Sequence, residues 1–180
     1  MRVDTRAPRE RGFLLPGGVR GRLSSEPRCE ESEMQAWINV GSPENFEVLR
    51  KRKFDLSPFK ASRRRQTAEM QPGDRIVYYL TGVVQFGGVV EVTGPVREDA
   101  RNIGLHSEVK EEDEYPFRLP TKPIAIAKPG NYIEVREITD MLEKTRPFGP
   151  KKLGMCFRGN VHKISQHDLD VIERLVRERA

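Results

Sequence analysis

Apolar positions are densest between Gln71 and Pro95, in the stretch QPGDRIVYYLTGVVQFGGVVEVTGP. A Pro-Gly-Asp turn opens it, and Arg75 to Leu80 follows with β-branched and aromatic residues at strand density. Thr81 to Gln85 reads as a loop and Phe86 to Thr93 as a returning strand, closed by Gly94-Pro95. Strand side chains alternate, so Val77 and Tyr79 face one way while Ile76, Tyr78 and Leu80 face the other. Both sets are apolar, which predicts a hairpin buried on both faces, inside a barrel or under helices. Gly87-Gly88 removes side chains where the return strand needs a bend or a close backbone approach.

The rest of the pattern is weaker. AWINV (36–40) predicts a short buried strand, and Ser42-Pro43 marks a helix start, with a helix over 45–52 that turns Phe46, Leu49 and Val48 inward. A loop is expected from Phe54 to Pro58, and a short helix within Lys60–Met70, ending before Pro72. Residues 97–114 form a long charged connection with the acidic run EVKEEDE, read as solvated. The prolines of YPFRLPTKPIAI (115–126) predict an edge strand. Tyr132–Lys144 starts strand-like and passes into a short helix around 140–144, and GMCFR (154–158) reads as a short apolar strand. The clearest helix follows Ser165: Asp168 occupies the capping-box position, and Leu169, Ile172, Leu175 and Val176 form its apolar stripe. The sum is mixed α/β: a small barrel of about five or six strands flanked by helices.

Composition narrows the function classes. A length of 180 residues allows one domain with a substantial core. Met1 to Glu33 carries seven Arg against six Asp or Glu with few large apolar residues, which predicts a disordered tail over 1–33 and a folded domain over 34–180, with Met34 an alternative start. No apolar run approaches a bilayer span, and no secretory leader pattern opens the chain, so no membrane association and a cytoplasmic location are expected. Cys29 and Cys156 lie too far apart for a metal motif, with Cys156 read as a small core residue; His106, His162 and His167 lack ligand spacing and read as surface residues. No Gly-rich phosphate loop or nucleophile elbow is present. The expectation is a protein without metal or cofactor, and not an enzyme.

What is present is charge beside aromatics. Arg50-Lys51-Arg52-Lys53 precedes Phe54, and Lys60, Arg63, Arg64 and Arg65 follow Phe59. Cations for phosphates next to aromatic planes for bases is the pairing used by binders of single strands and extruded bases. Tyr79, Phe86, Ser42, Asn45 and Asp55 are candidates to stack on such a base and to bond its edge.

Taken in order, AWINV, the Ser-Pro-Glu-Asn-Phe helix start, KF-x-L, the basic stretch, PGDRIVYY, GGVVEVTGPVRED, YPFRLP and GMCFRGNVHKIS resemble the EVE domain family over 35–180. That family belongs to the PUA-like barrels and is similar to the YTH readers of methylated adenine. The resemblance implies a nucleic-acid-binding module that holds a modified base, a methylated or hydroxymethylated cytosine or a methylated adenine, in an aromatic-lined pocket with basic flanks. It places Phe54 at a first cage position with Asp55 after it. Gly41, Ser42 and Asn45 fall in the loop that bonds the base edge, and Tyr79, Thr81 and Phe86 beside the pocket. Arg158 and Asn160 fall in a late closing turn, while Lys53, Lys60, Arg63, Arg64 and Arg65 are left for the nucleic-acid backbone. Two features depart from the family: Val96 stands where an aromatic is frequent, and the Thr81–Gln85 turn is compact. Two other readings stand beside this one. One is a PUA-like hydrolase acting on a nucleobase or nucleoside, with Lys60 and Glu91 as its pair; the other is a structural RNA-binding module that ignores base modification.

Overall fold

A computed structural model of the chain describes residues 33–99, 101–105, 115–148 and 152–180. The predicted tail over 1–33 lies outside the described residues but for Glu33, as do the acidic run, His106 and Cys29. The described residues fall in one compact unit, Glu33–Ala180.

The order of elements is β1 (Ala36–Gly41), α1 (Pro43–Lys51), β2 (Leu56–Phe59), α2 (Arg64–Glu69), β3 (Arg75–Leu80), β4 (Gln85–Val92), β5 (Arg97–Glu98), β6 (Phe117–Ile126), β7 (Ile133–Glu134), α3 (Leu153–Cys156), β8 (Val161–Ile164) and α4 (Gln166–Glu178). Short 3₁₀ segments cover Ala61–Arg63 and Val135–Met141. The strands form one sheet in the order β2-β6-β4-β3-β1-β8, with β5 added to β6 and β7 to β4. Among the described residues only β1 and β3 pair in parallel, joined through α1, β2 and α2. The sheet curls on itself: Nδ2 of Asn39 in β1 donates to the carbonyl of Pro58 in β2 (3.3 Å), and the hydroxyls of Ser57 (β2) and Tyr78 (β3) lie 2.5 Å apart. The architecture is the expected mixed α/β fold of PUA-like type: among the described residues six strands make the path of the curled sheet, and the two-residue strands β5 and β7 add to it.

The β3–β4 hairpin is its centre, and its alternation holds. Val77 and Tyr79 enter one core with Ile38, Phe86, Leu169, Ile172 and Val176. Ile76, Tyr78 and Leu80 enter a second with Trp37, Phe46, Phe54 and Phe59. Gly87 sits at a bulge, where Tyr78 pairs Gly88 and Tyr79 pairs Phe86. A Cβ on Gly87 would fall 2.7 Å from Cζ of Phe46, so the missing side chain is what lets α1 reach the sheet.

Six elements differ from expectation, the smallest being β5, which pairs Arg97–Glu98 with β6 at the start of the expected solvated connection. Residues 56–59 form β2 rather than loop; Pro58 is tolerated because β2 ends the sheet order. The proline-rich strand β6 is interior, between β2 and β4. It changes partners along its length, pairing β2 and β5 over 117–120 and β4 over 121–126. Pro120 stands at the handover, its carbonyl accepting from Thr93 N (2.8 Å), and Pro123 at a register shift, where less ladder bonding is lost. The strand after Tyr132 lasts two residues before the 3₁₀ segment Val135–Met141 takes over. GMCFR is not a strand: Leu153, Cys156 and Phe157 are buried while Met155 is exposed, the i, i+3, i+4 spacing of helix α3. Finally, β8 pairs antiparallel with β1 where no strand was predicted.

The capping signals held. Ser42 Oγ accepts from Asn45 N (3.3 Å) with Pro43 at the first helical position, and Ser165 Oγ accepts from Asp168 N (3.2 Å). Asp168 completes no reciprocal box; its carboxylate accepts from Glu143 N and Lys144 N (2.7 and 3.0 Å), fastening the segment before α3 to α4.

Candidate nucleic-acid interface

The C-terminal end of β1 is where chain segments converge. Val40 N donates to Asn160 O and Thr81 N to Gly41 O, each at 2.9 Å. This draws together the end of β1, the turn after β3 and the turn before β8. From Gly41 the chain enters α1 through the Ser42 cap, which leaves the polar N-terminus of α1 over the sheet. A cavity lies there. Asn39, Val40, Gly41, Ser42 and Asn45 line one side, Phe46 and Leu49 the α1 side, and Tyr78 and Leu80 the sheet. Pro58, Leu105 and Tyr115 complete it. Its volume is only about 30 Å³, room for about one water molecule, so it is a narrow slot.

Its floor is aromatic. Phe46 lies 5.2 Å from Phe54 and 5.5 Å from Tyr78 between ring centroids, both in tilted or edge-on geometry. Burial pushes the Tyr78 phenol well above its ordinary pKa, outweighing the Ser57 hydrogen bond, so this hydroxyl stays neutral. In the first turn of α1, the Glu44 carboxyl is held below its usual range by its own backbone amide and by Ser42. It is therefore ionised beside the α1 N-terminus.

Of the sequence-named residues, Gly41, Ser42 and Asn45 line the cavity. Thr81 and Asn160 stand at its rim through their backbone, and Arg158 is exposed on the same turn as Asn160. Phe54 lies one ring behind the wall and only 3 % exposed. Tyr79 and Phe86 are on the opposite face of the sheet: Tyr79 stacks on Phe157 at 4.3 Å and Phe86 meets both rings edge-on. Asp55 is outside too, ion-paired with Arg52 at 2.8 Å. Sequence reasoning passed over Asn39, Leu80, Leu105 and Tyr115; the parity that separated Leu80 from Tyr79 was the available signal for one of them.

The basic clusters divide. Arg50 turns inward to Glu47, Tyr132 Oη and Ala127 O, and Arg52 is held by Asp55. Lys53, Arg64 and Arg65 are exposed, Arg65 only 4.0 Å from Glu69. Lys60 Nζ sits 5.6 Å over the Tyr115 ring at the cavity mouth. Arg63 is half-buried, its Nη2 reaching toward Gly159. The Lys60–Glu91 pair is not formed, since Glu91 is taken by Arg75 (2.5 Å) and Lys122 (2.7 Å). A larger shallow groove, about 600 Å³, runs between Met34 and α4, lined by charged side chains such as Glu173 and Arg177 and by no aromatic.

The sequence model of the EVE domain matches residues 35–175. No curated protein matches the chain by sequence. Solved structures share the fold at low identity. A hypothetical protein from Leishmania major is 18 % identical with a TM-score of 0.57, covering 81 % of this chain and 96 % of that one. The YTH domain of Zygosaccharomyces rouxii MRB1, solved with N6-methyladenosine RNA, is 13 % identical with a TM-score of 0.57, covering 83 % and 90 %. Human THYN1, solved with 5-methylcytosine DNA, is 14 % identical with a TM-score of 0.52, covering 78 % and 96 %.

Proposed function

The chain belongs to the EVE domain family, and we propose that it is a non-catalytic nucleic-acid-binding module that recognises a modified base. The observation that carries this reading is the slot at the end of β1, where backbone and polar side chains (Gly41, Ser42, Asn45) meet an aromatic floor beside exposed cations. Such a slot suits a flat heterocycle with a hydrogen-bonding edge. The two fold neighbours bound to methylated RNA and methylated DNA support the same class of ligand. Phosphate contacts from Lys53, Lys60, Arg64 and Arg65 supply salt-dependent affinity, and the slot supplies selectivity. Admitting a base requires the side chains that line the slot to give way.

The test is a titration of matched DNA and RNA oligonucleotides carrying plain cytosine, 5-methyl- and 5-hydroxymethylcytosine, plain adenine and N6-methyladenine, at two salt concentrations. One modified base is preferred, and the preference survives the higher salt. Gly41→Leu is the matching variant: Gly41 lines the slot, its backbone is not left-handed, and a Cβ there meets nothing within 4 Å, so a side chain can be set there without a Cβ clash. It abolishes the preference and leaves the salt-dependent affinity. Equal binding of all oligonucleotides that collapses with salt would replace this reading with a structural RNA-binding module.

A further inference from the structure

Two buried nitrogens lack a hydrogen-bond partner among the described residues on the far side of the turn before β8: Nε of Arg63 and Nε2 of His162. Orphaned buried polar atoms are rare and call for an explanation. Here they belong to one place. Gly159, at φ +104°, presents bare backbone, and the point where its Cβ would stand is 3.7 Å from His162 Nε2 and 3.9 Å from Arg63 Nη2. An imidazole and a guanidinium thus face the same small space, kept open by a glycine. The expected surface role of His162 is corrected accordingly: the ring is half-buried, though His167 is exposed.

We propose that Arg63 and His162 form an oxyanion site that holds a backbone phosphate of the strand whose base enters the slot. The site rests on the proposed reading for its ligand, but its geometry is separate from the slot. It connects to it through Asn160, whose carbonyl fixes Val40, a slot residue, while His162 pairs with Ile38 two residues earlier on β1. Guanidinium and imidazolium are the donors suited to phosphate oxygen.

The site is pH-dependent. The Phe157 backbone favours the charged ring, and the imidazolium, which donates from both nitrogens, is the form that brings the phosphate a donor at Nε2 together with a positive charge. In the free protein, burial first, then the charge of Lys144, and last that of Arg63 push His162 below its ordinary value, against the pull of the Phe157 backbone. The charges acting on the ring are these two cations; β1 opposes it with Ile38 and α3 offers the Phe157 backbone. A bound phosphate reverses the balance, so binding takes up a proton and strengthens as pH falls.

The expected result is affinity that rises from pH 8 to pH 6, by up to about tenfold per pH unit between the free and bound values, equally for plain and modified oligonucleotides. His162→Gln flattens this dependence, and Arg63→Gln lowers the salt slope by about one phosphate contact. NMR titration of the His162 ring in the unaltered protein gives a reading that needs no variant: oligonucleotide raises its pKa, and inorganic phosphate does so more weakly. An unmoved His162 pKa, a response to inorganic phosphate but not to oligonucleotide, or a pH dependence retained in His162→Gln would overturn the proposal. Loss of base preference with the pH response intact would overturn the modified-base reading and leave the phosphate site standing.

Discussion

The two faces of the central hairpin are built from alternate residues of the same strands, yet one is sealed and the other holds a slot. Under α4 the sheet meets a lengthwise apolar stripe, with Leu169, Ile172 and Val176 each no more than 1 % exposed against Val77 and Val89. On the other face α1 meets the sheet near its capped N-terminus, so Ser42 and Asn45 arrive where the stripe of α4 would have brought leucines. A helix laid down by its apolar side closes a core. A helix that approaches by its polar end leaves room and supplies hydrogen-bonding groups to it.

Leu169→Ala strikes the sealed face hardest, removing about 3 kcal/mol and lowering Tm by on the order of 10 °C while leaving base preference untouched below the transition. A loss of preference at equal folded fraction would break the separation of the faces. Gly87→Ala comes next, at about 1–3 kcal/mol, because its methyl drives Phe46 toward the slot. This variant loses both stability and base preference, and calorimetry with the oligonucleotide titration reads the two together. Ser57→Ala, at about 1–2 kcal/mol, leaves the Tyr78 hydroxyl buried without its partner and loosens the slot floor, measurable by chemical denaturation. Glu91→Gln is the smallest and touches neither face. Lys122 and Arg75 hold the Glu91 carboxyl below its ordinary value, so its contribution is present at neutral pH and fades as pH falls through the folded pKa. The variant melts slightly below the parent at pH 7, and the gap narrows as pH falls through the folded pKa.

The sequence carried the sealed face better than the open one. Val77/Tyr79 against Ile76/Tyr78/Leu80, the Ser42 and Ser165 caps and the α4 stripe are local patterns, and each formed as read. GMCFR is five residues long, too short to separate period 2 from period 3.6, and tertiary packing chose the helix. The prolines of β6 argue for an edge only if a strand keeps one partner along its length, and this strand does not. Of the site, Gly41, Ser42 and Asn45 were legible as a capped turn. Leu105 and Tyr115 reach the slot from a connection whose course no periodicity encodes, and the ring behind Phe46 was read as a cage rather than as the floor's support.

On the proposed reading, the curl of the sheet bears on how a base would enter the slot. Strand β2 ends the ladder, and its links to β1 and β3 are side-chain ones, Asn39 to Pro58 and Ser57 to Tyr78. The barrel is in effect a cuff laced along one seam, and Asn39, Pro58 and Tyr78 all line the slot. Widening it by letting out the Asn39 lace gives up one long hydrogen bond, on the order of 1 kcal/mol, and no strand pairing. A receptor fastened this way can stay closed to water when empty and still yield to a ligand at an expense that stacking a single base would return.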